Sequence, residues 1–266
     1  MKKKIVLVII IIILLILDIF LFFNFIYRHY KNKHFLEKYD ISLANNINNN
    51  EFKINKILLY SSASGINKNN NFQKSNWLLD IYEYTDIAIF FEKPKTLSTS
   101  NTIKELNISN IKYNVVSDKY EPALYYLDGN NFGVNTITEN FKIDNILEYT
   151  VLNFDNKDNS IMYNTPVFFS DLSNPITLKF SNTLLKNYSI ENTEKLVFDG
   201  SLLTKTPLVL ENLEASISFD VEITNFLNEK YVSNINIKIP IENSNETIFN
   251  GKILETKKVN LKFLKQ

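Results

Sequence analysis

Two patterns of hydrophobic and polar residues divide the chain, and they meet near residue 50. The first is an almost unbroken apolar run from Ile5 to Tyr27, behind a short basic leader at residues 1–4. About 23 helical residues reach roughly 35 Å, which is enough to cross a hydrocarbon core of about 30 Å. A cleaved signal peptide would have a shorter apolar region that ends in small residues. The run therefore predicts a single transmembrane α-helix that acts as an uncleaved signal-anchor.

Beyond Glu51, apolar and polar residues alternate with period 2, which is typical of half-buried β-strands. The clearest example is Ile217–Ile223 followed by Ile235–Ile241, with the polar run Asn225–Lys230 between them. Two such strands joined by a polar turn predict an antiparallel hairpin. Pro240 cannot donate a ladder hydrogen bond, so we expect that end of the second strand at a sheet edge.

Residues 76–91 form a second clear strand, NWLLDIYEYTDIAIFF. Its apolar face is interrupted only by Glu83, and its other face carries Asp80, Tyr82, Tyr84, Asp86 and Ala88. Alternating Tyr and Asp side chains present flat apolar area with polar tips, as recognition surfaces do. Tyr is also favoured on half-exposed strands, where it packs against a neighbouring sheet. The two interpretations of this face are therefore a binding surface at Asp80, Tyr82, Tyr84 and Asp86, or ordinary packing.

About ten short strands and no convincing helix follow residue 51, which predicts an all-β ectodomain of packed antiparallel sheets. The expected fold is a β-sandwich, immunoglobulin-like or related. Its length fits two sandwiches in tandem, at residues 51–158 and 159–266, with the polar run at 155–160 as the seam, or one larger domain. Residues 28–50 are a basic juxtamembrane segment and an Asn-rich spacer.

The charge balance of the chain gives no indication of nucleic-acid binding. Lys plus Arg and Asp plus Glu are both 29, so no net basic field attracts nucleic acid. Lysines flank the apolar run on both sides, and we favour an inside N-terminus because the leader is too short to translocate a domain.

Asp18 interrupts the apolar run. It is either a tolerated carboxyl or a polar contact with another membrane helix.

Few kinds of catalysis fit the composition. The chain has no Cys, its two histidines (His29 and His34) lie beside the membrane, and its five glycines are scattered. We therefore predict no metal site, no nucleotide site and no cofactor. Paired carboxylates remain as a catalytic device, but Asp80 and Asp86 stand about 20 Å apart along one strand, too far to share a glycosidic bond.

The anchor MKKKIVLVIIIIILLILDIF, the Asn- and Lys-rich bias and the β segments around residues 76–93 and 217–243 resemble single-pass membrane-anchored proteins of low-GC Gram-positive bacteria that are recorded as hypothetical membrane proteins. The resemblance implies location and architecture, and no catalytic residues. Our leading expectation is a non-catalytic binding or scaffolding module at the cell envelope, whose partner is an envelope protein or polymer. The alternatives are a carboxylate-dependent envelope-polymer hydrolase and an accessory subunit of a membrane complex.

Overall fold

A computed structural model of the chain describes residues 22–23, 26–27, 52–69, 76–92, 100–101, 103–127, 131–137, 141–150, 176–191, 196–239 and 245–266. Two compact units divide the chain, Met1–Lys38 and Tyr39–Gln266. In the first unit Phe22, Phe23, Ile26 and Tyr27 are helical. Among the described residues, no helix is both long and apolar enough to cross a membrane. Apart from those four residues, the predicted span Ile5–Tyr27 with Asp18, and the segment at 28–50, lie outside the described residues, so the anchor and the spacer stay predictions.

The second unit is built from β-strands that form two antiparallel sheets, as the alternating pattern predicted. The described residues contain ten strands: β1 Lys53–Asn67, β2 Asn76–Phe91, β3 Ile103–Val115, β4 Glu121–Tyr126, β5 Leu147–Thr150, β6 Ile176–Glu191, β7 Ala215–Asn225, β8 Lys230–Ile239, β9 Lys252–Lys262 and β10 Leu264–Lys265. Sheet A has the order β4-β6-β2-β1-β9 and sheet B the order β10-β8-β7-β3-β5.

The strand order is incompatible with a domain boundary at residue 158. In sheet A, β2 pairs with β6, and β1 pairs with β9. In sheet B, β3 pairs with β7. Each of these pairs joins a strand from 51–158 to a strand from 159–266, so neither half forms a sheet by itself. The sequence allowed either two tandem sandwiches or one larger domain. The strand pairing agrees with one domain, because backbone hydrogen bonds join strands of the two halves within each sheet.

The predicted hairpin is present as β7 and β8. Ile217 lies opposite Ile237, and Ile223 lies opposite Tyr231. Residues of β7 alternate strictly between buried and half-buried along its whole length. The turn is held by Asn225, whose side-chain oxygen accepts the Leu227 and Glu229 N–H groups at 2.9 Å each. Within the described residues β10 pairs only with the start of β8, at Val232 and Tyr231. Pro240 lies outside the described residues, so its expected place at a sheet edge stays a prediction.

Aromatic side chains join the two sheets across the core. Tyr113 of β3 packs on Phe180 of β6 with ring centroids 6.2 Å apart. At the end where β1 begins, Phe263 lies between β9 and β10 and contacts Phe52 at 6.3 Å and Phe91 at 6.0 Å. The chain passes from sheet A to sheet B at Phe263, so this buried ring anchors the corner of the sandwich.

Three 3₁₀ helices are described over their whole length, at Gly200–Lys205, Leu210–Leu213 and Ile248–Asn250. Leucines from the first two helices and the connection between them pack against the end of sheet A, in one hydrophobic cluster with Ala63, Leu79 and Ile81. Asp199 caps the first helix by accepting the Ser201 N–H at 2.8 Å. Asp199 and Gly200 therefore mark the start of this helix.

Candidate functional site

The face of β2 that carries Tyr82, Tyr84 and Asp86 exists as predicted, but it is covered. These side chains are 4%, 2% and 0% exposed. The segment at residues 131–137 lies along them, and it was not expected there. The interpretation of this face as an exposed binding surface is therefore wrong for these three residues. The competing interpretation, that the tyrosines pack against neighbouring structure, describes what the fold does with them.

Hydrogen bonds fix the covering segment to the face. The Gly133 N–H donates to Asp86 Oδ2 at 2.7 Å, and the Tyr82 hydroxyl donates to the Asn135 carbonyl at 2.6 Å. The Phe132 ring meets the Tyr60 ring edge-on at 6.2 Å. Gly133 has φ +81°, a conformation that side chains with a Cβ rarely adopt. A glycine at this position thus lets the backbone turn its N–H toward the carboxylate.

Asp80, the fourth residue of the predicted face, lies apart from the other three. Its Oδ1 accepts the Asn187 N–H at 2.9 Å, and its Oδ2 lies 3.0 Å from Lys68 Nζ. Burial opposes ionisation of this carboxyl, but the Asn187 N–H and the Lys68 ammonium outweigh burial and lower the pKa of Asp80. Asp80 therefore forms an ion pair with Lys68 near a bulge of β6, whereas Asp86 pairs with a different lysine.

The centre of the covered face is an ion pair between Asp86 and Lys179. The two residues lie directly opposite each other on β2 and β6. Lys179 Nζ lies 2.5 Å from Asp86 Oδ1, and the side chains are 2% and 0% exposed respectively. Burial raises the pKa of Asp86, although Lys179 and the Gly133 N–H oppose the rise. Burial also lowers the pKa of Lys179. Desolvation thus pushes both groups toward their uncharged forms.

Tyrosine rings form the wall around this pair. Lys179 Nζ lies 4.1 Å from the centroid of the Tyr84 ring, and Tyr60 packs on Tyr84 with centroids 6.2 Å apart. Burial raises the pKa of Tyr84 and of Tyr60, so both phenols stay neutral. We call Tyr60, Tyr82, Tyr84, Asp86 and Lys179 the covered cluster. It combines a low-dielectric environment with a fully engaged carboxyl and amine.

Glu83 lies on the opposite face of β2, in the interior between the two sheets. It is 0% exposed, and its Oε1 accepts a hydrogen bond from Asn182 Nδ2 at 3.0 Å. Among the described residues, Glu83 Oε2 and Asn182 Oδ1 have no hydrogen-bond partner. Burial raises the pKa of Glu83 to about 8, and the Asn182 bond opposes the rise. A proton on Glu83 converts one of two unsatisfied acceptors into a donor, which is the form that this interior favours.

Sequence reasoning found one half of each of these pairs and missed the other half. Glu83 stood out as the single charged residue on an apolar face, and Asp86 belonged to the Tyr-Asp face. Lys179 and Asn182 lie within β6, about ninety residues further along the chain. Lys179 lies between Leu178 and Phe180 in ITLKF, a pattern that indicates a strand but does not indicate which residue the lysine pairs with. The pairing depends on the register of β2 with β6, which no local pattern encodes.

The three carboxyls of β2 do not converge. Asp80 and Asp86 are bound to different lysines, and Glu83 points to the other face. Within the part of the chain that the structure describes, no group of three or more His, Asp or Glu side chains could hold a metal ion. No protein-family model matches the sequence, and comparisons with curated proteins and with solved structures find no match either.

Proposed function

We propose that this protein is a single-pass membrane protein whose β-sandwich is displayed outside the cell and serves as a non-catalytic binding or scaffolding module of the envelope. The apolar segment Ile5–Tyr27 is the signal-anchor, with the N-terminus inside. The partner of the β-sandwich is an envelope protein or polymer, and the lipid bilayer holds the anchor. The finer fold expectation, an immunoglobulin-like or related sandwich, belongs to the same proposal and is supported by two packed antiparallel sheets.

One observation carries the proposal. Two side chains of β2 that could have performed acid-base chemistry, Asp80 and Asp86, are bound instead to neighbouring strands of sheet A and to segments that adjoin it. Asp86 is bound to Lys179 and Gly133, and Asp80 to Lys68 and Asn187. Reactive carboxyls in a hydrolase must instead face a cleft that admits the substrate. Side chains committed to internal contacts favour a rigid module that presents its surface to a partner.

The hydrolase alternative has less support. It requires two carboxyls roughly 5 to 10 Å apart that flank a bound sugar. Glu83 has the raised pKa of a general acid, about 8, but it is enclosed between the sheets with Asn182 and is 0% exposed. An acid that no substrate can reach affects the stability of the fold but does not cleave a polymer.

Partner capture in intact cells tests the proposal. A photoreactive amino acid is placed at Lys238 on β8 or at Leu254 on β9, two exposed positions in different sheets. We expect a discrete crosslinked adduct with an envelope component from one position and little from the other. The uncrosslinked protein should float with membranes after alkaline extraction.

A reporter fused after Gln266 checks the orientation in the same cells. Activity of that reporter only in the cytoplasm would contradict the outside location of the domain. Release of the protein by alkaline extraction would contradict the anchor. Hydrolysis of isolated cell-wall polymer by the purified chain, abolished by a single carboxyl substitution, would replace this proposal with the enzymatic alternative.

A further inference from the structure

The covered cluster contains an amine and a carboxyl that are held in contact and sealed from water. Lys179 Nζ lies 2.5 Å from Asp86 Oδ1, between strands that are hydrogen-bonded neighbours. A nitrogen at hydrogen-bond distance from a carboxyl oxygen lies within about 3 to 3.5 Å of the carboxyl carbon, which is the range of a near-attack arrangement. The two groups that could condense are thus already positioned.

The remaining contacts of the pair are those that an acyl condensation uses. Asp86 Oδ2 accepts the Gly133 N–H at 2.7 Å, so a fixed backbone donor faces the oxygen that would carry negative charge in a tetrahedral intermediate. Lys179 Nζ also donates to the Val134 carbonyl at 2.9 Å, which holds the nitrogen in place. The Tyr84 ring, 4.1 Å from Nζ, closes the site on another side.

The environment also favours the reactive protonation states. An amine attacks a carbonyl carbon only when it is unprotonated, and a carboxyl accepts attack more readily as the neutral acid than as the anion. Burial lowers the pKa of Lys179 and raises the pKa of Asp86, so both shifts point toward an amine beside a carboxylic acid. Buried lysines are activated as nucleophiles by desolvation of this kind.

We propose that Lys179 and Asp86 condense into an intramolecular amide bond that ties β6 to β2. A proton passes from Nζ to Oδ1, and the Nζ lone pair then attacks the Asp86 Cγ to form the new C–N bond. The Gly133 N–H stabilises the charge on Oδ2 in the intermediate. A second proton moves from Nζ to Oδ1, the Cγ–Oδ1 bond breaks, and one water molecule leaves. The reaction consumes no oxidant, reductant or activating group.

Such a bond fits the composition of the chain, which contains no Cys and therefore no disulfide. An amide between Asp86 and Lys179 closes a long loop that includes β3, β4 and β5. A covalent tie over a long loop restricts the unfolded chain strongly and does not respond to reductants. This inference goes beyond the proposed function, and it holds whether or not the domain binds an envelope partner.

Mass spectrometry of the full-length protein tests the bond directly. We expect the intact mass to be lower than the sequence mass by one water, in freshly purified protein or after prolonged incubation at neutral pH. Trypsin digestion should then give a branched peptide in which the Asp86 and Lys179 fragments are joined. Cleavage after Lys179 should be lost, because trypsin does not cut after an acylated lysine.

The matched control is Lys179→Arg, which keeps a cation beside Asp86 but cannot form this lysine amide. Its mass should equal its own sequence mass without loss of water. A wild-type protein that retains its full mass and yields only linear peptides would show a buried ion pair and nothing more, and would overturn the proposal. Loss of water that persists in Lys179→Arg, or a branched peptide that joins other residues, would also overturn it.

Discussion

Substitution of Glu83 by Gln should remove a large part of the pH dependence of stability. Glu83 is 0% exposed, and burial raises its pKa from 4.5 to about 8. Between these two values the folded chain holds a proton that the unfolded chain has released. Stability is therefore fully present below about pH 4.5 and is lost as the pH rises through about 8.

The magnitude follows from the pKa. Each pH unit between the unfolded and folded values removes about 1.4 kcal/mol of unfolding free energy, so the whole interval amounts to about 5 kcal/mol. About 3 kcal/mol of this falls between about pH 6 and pH 9. Gln has the same shape as protonated Glu and can exchange hydrogen bonds with the Asn182 amide, so Glu83→Gln should keep its stability over that range. Asp86 and the tyrosines titrate in both proteins and cancel in the difference.

The assay is urea unfolding of the full-length chain in detergent micelles at several pH values, followed by fluorescence. Trp77 is the single tryptophan, and its ring packs on Phe198 at 6.1 Å, so its emission reports on the β-sandwich. We expect the midpoint of the wild-type protein to fall steeply with rising pH and that of Glu83→Gln to fall much less. Parallel pH profiles for the two proteins would refute the assignment of a protonated Glu83.

Three further substitutions test the packing. Ile237→Ala should cost about 2–4 kcal/mol of unfolding free energy because Ile237 is 0% exposed, whereas its exposed neighbour in Lys238→Ala should change it by no more than about 0.5 kcal/mol; equal effects would contradict the register of β7 and β8. Gly200→Ala places a Cβ 1.9 Å from the Ile248 carbonyl oxygen and should lower the unfolding free energy by about 3 kcal/mol or more, measured in a thermal melt. An unchanged melting temperature would show that the two backbones do not come this close. Asn225→Ala removes the acceptor for two turn N–H groups and should cost about 2–3 kcal/mol, measured by urea unfolding; an unchanged midpoint would mean that the turn is held by other contacts.

Local sequence patterns predicted the elements that depend on neighbours along the chain. The alternation at residues 217–241 predicted both strands of the β7–β8 hairpin and the side that each residue faces, because side chains on a strand alternate between its faces. The prediction for β2 succeeded for the same reason. The length of β6 is not visible in the sequence, because half-buried and exposed polar residues make its periodic signal weak toward Glu191.

Partition into domains could not be predicted from those patterns. The polar run at residues 155–160 indicated a seam, but the described strands before and after it pair in both sheets. Composition reports which segments are polar, while the sheet order depends on hydrogen bonds between strands that are distant in the chain. A polar connection within one sandwich and a linker between two sandwiches have the same composition.

By itself, the sequence determined the all-β nature of the domain, the two faces of β2 and the anomaly at Glu83, since these follow from periodicity within one strand. Only the tertiary structure decided that the Tyr-Asp face is buried, that Asp86 meets Lys179 and that Glu83 meets Asn182. The physical reason is that burial and ion pairing depend on which distant segment covers a face. Residues 131–137 cover this one, about fifty residues from β2, and nothing in the Tyr-Asp alternation distinguishes a face that water covers from a face that a loop covers.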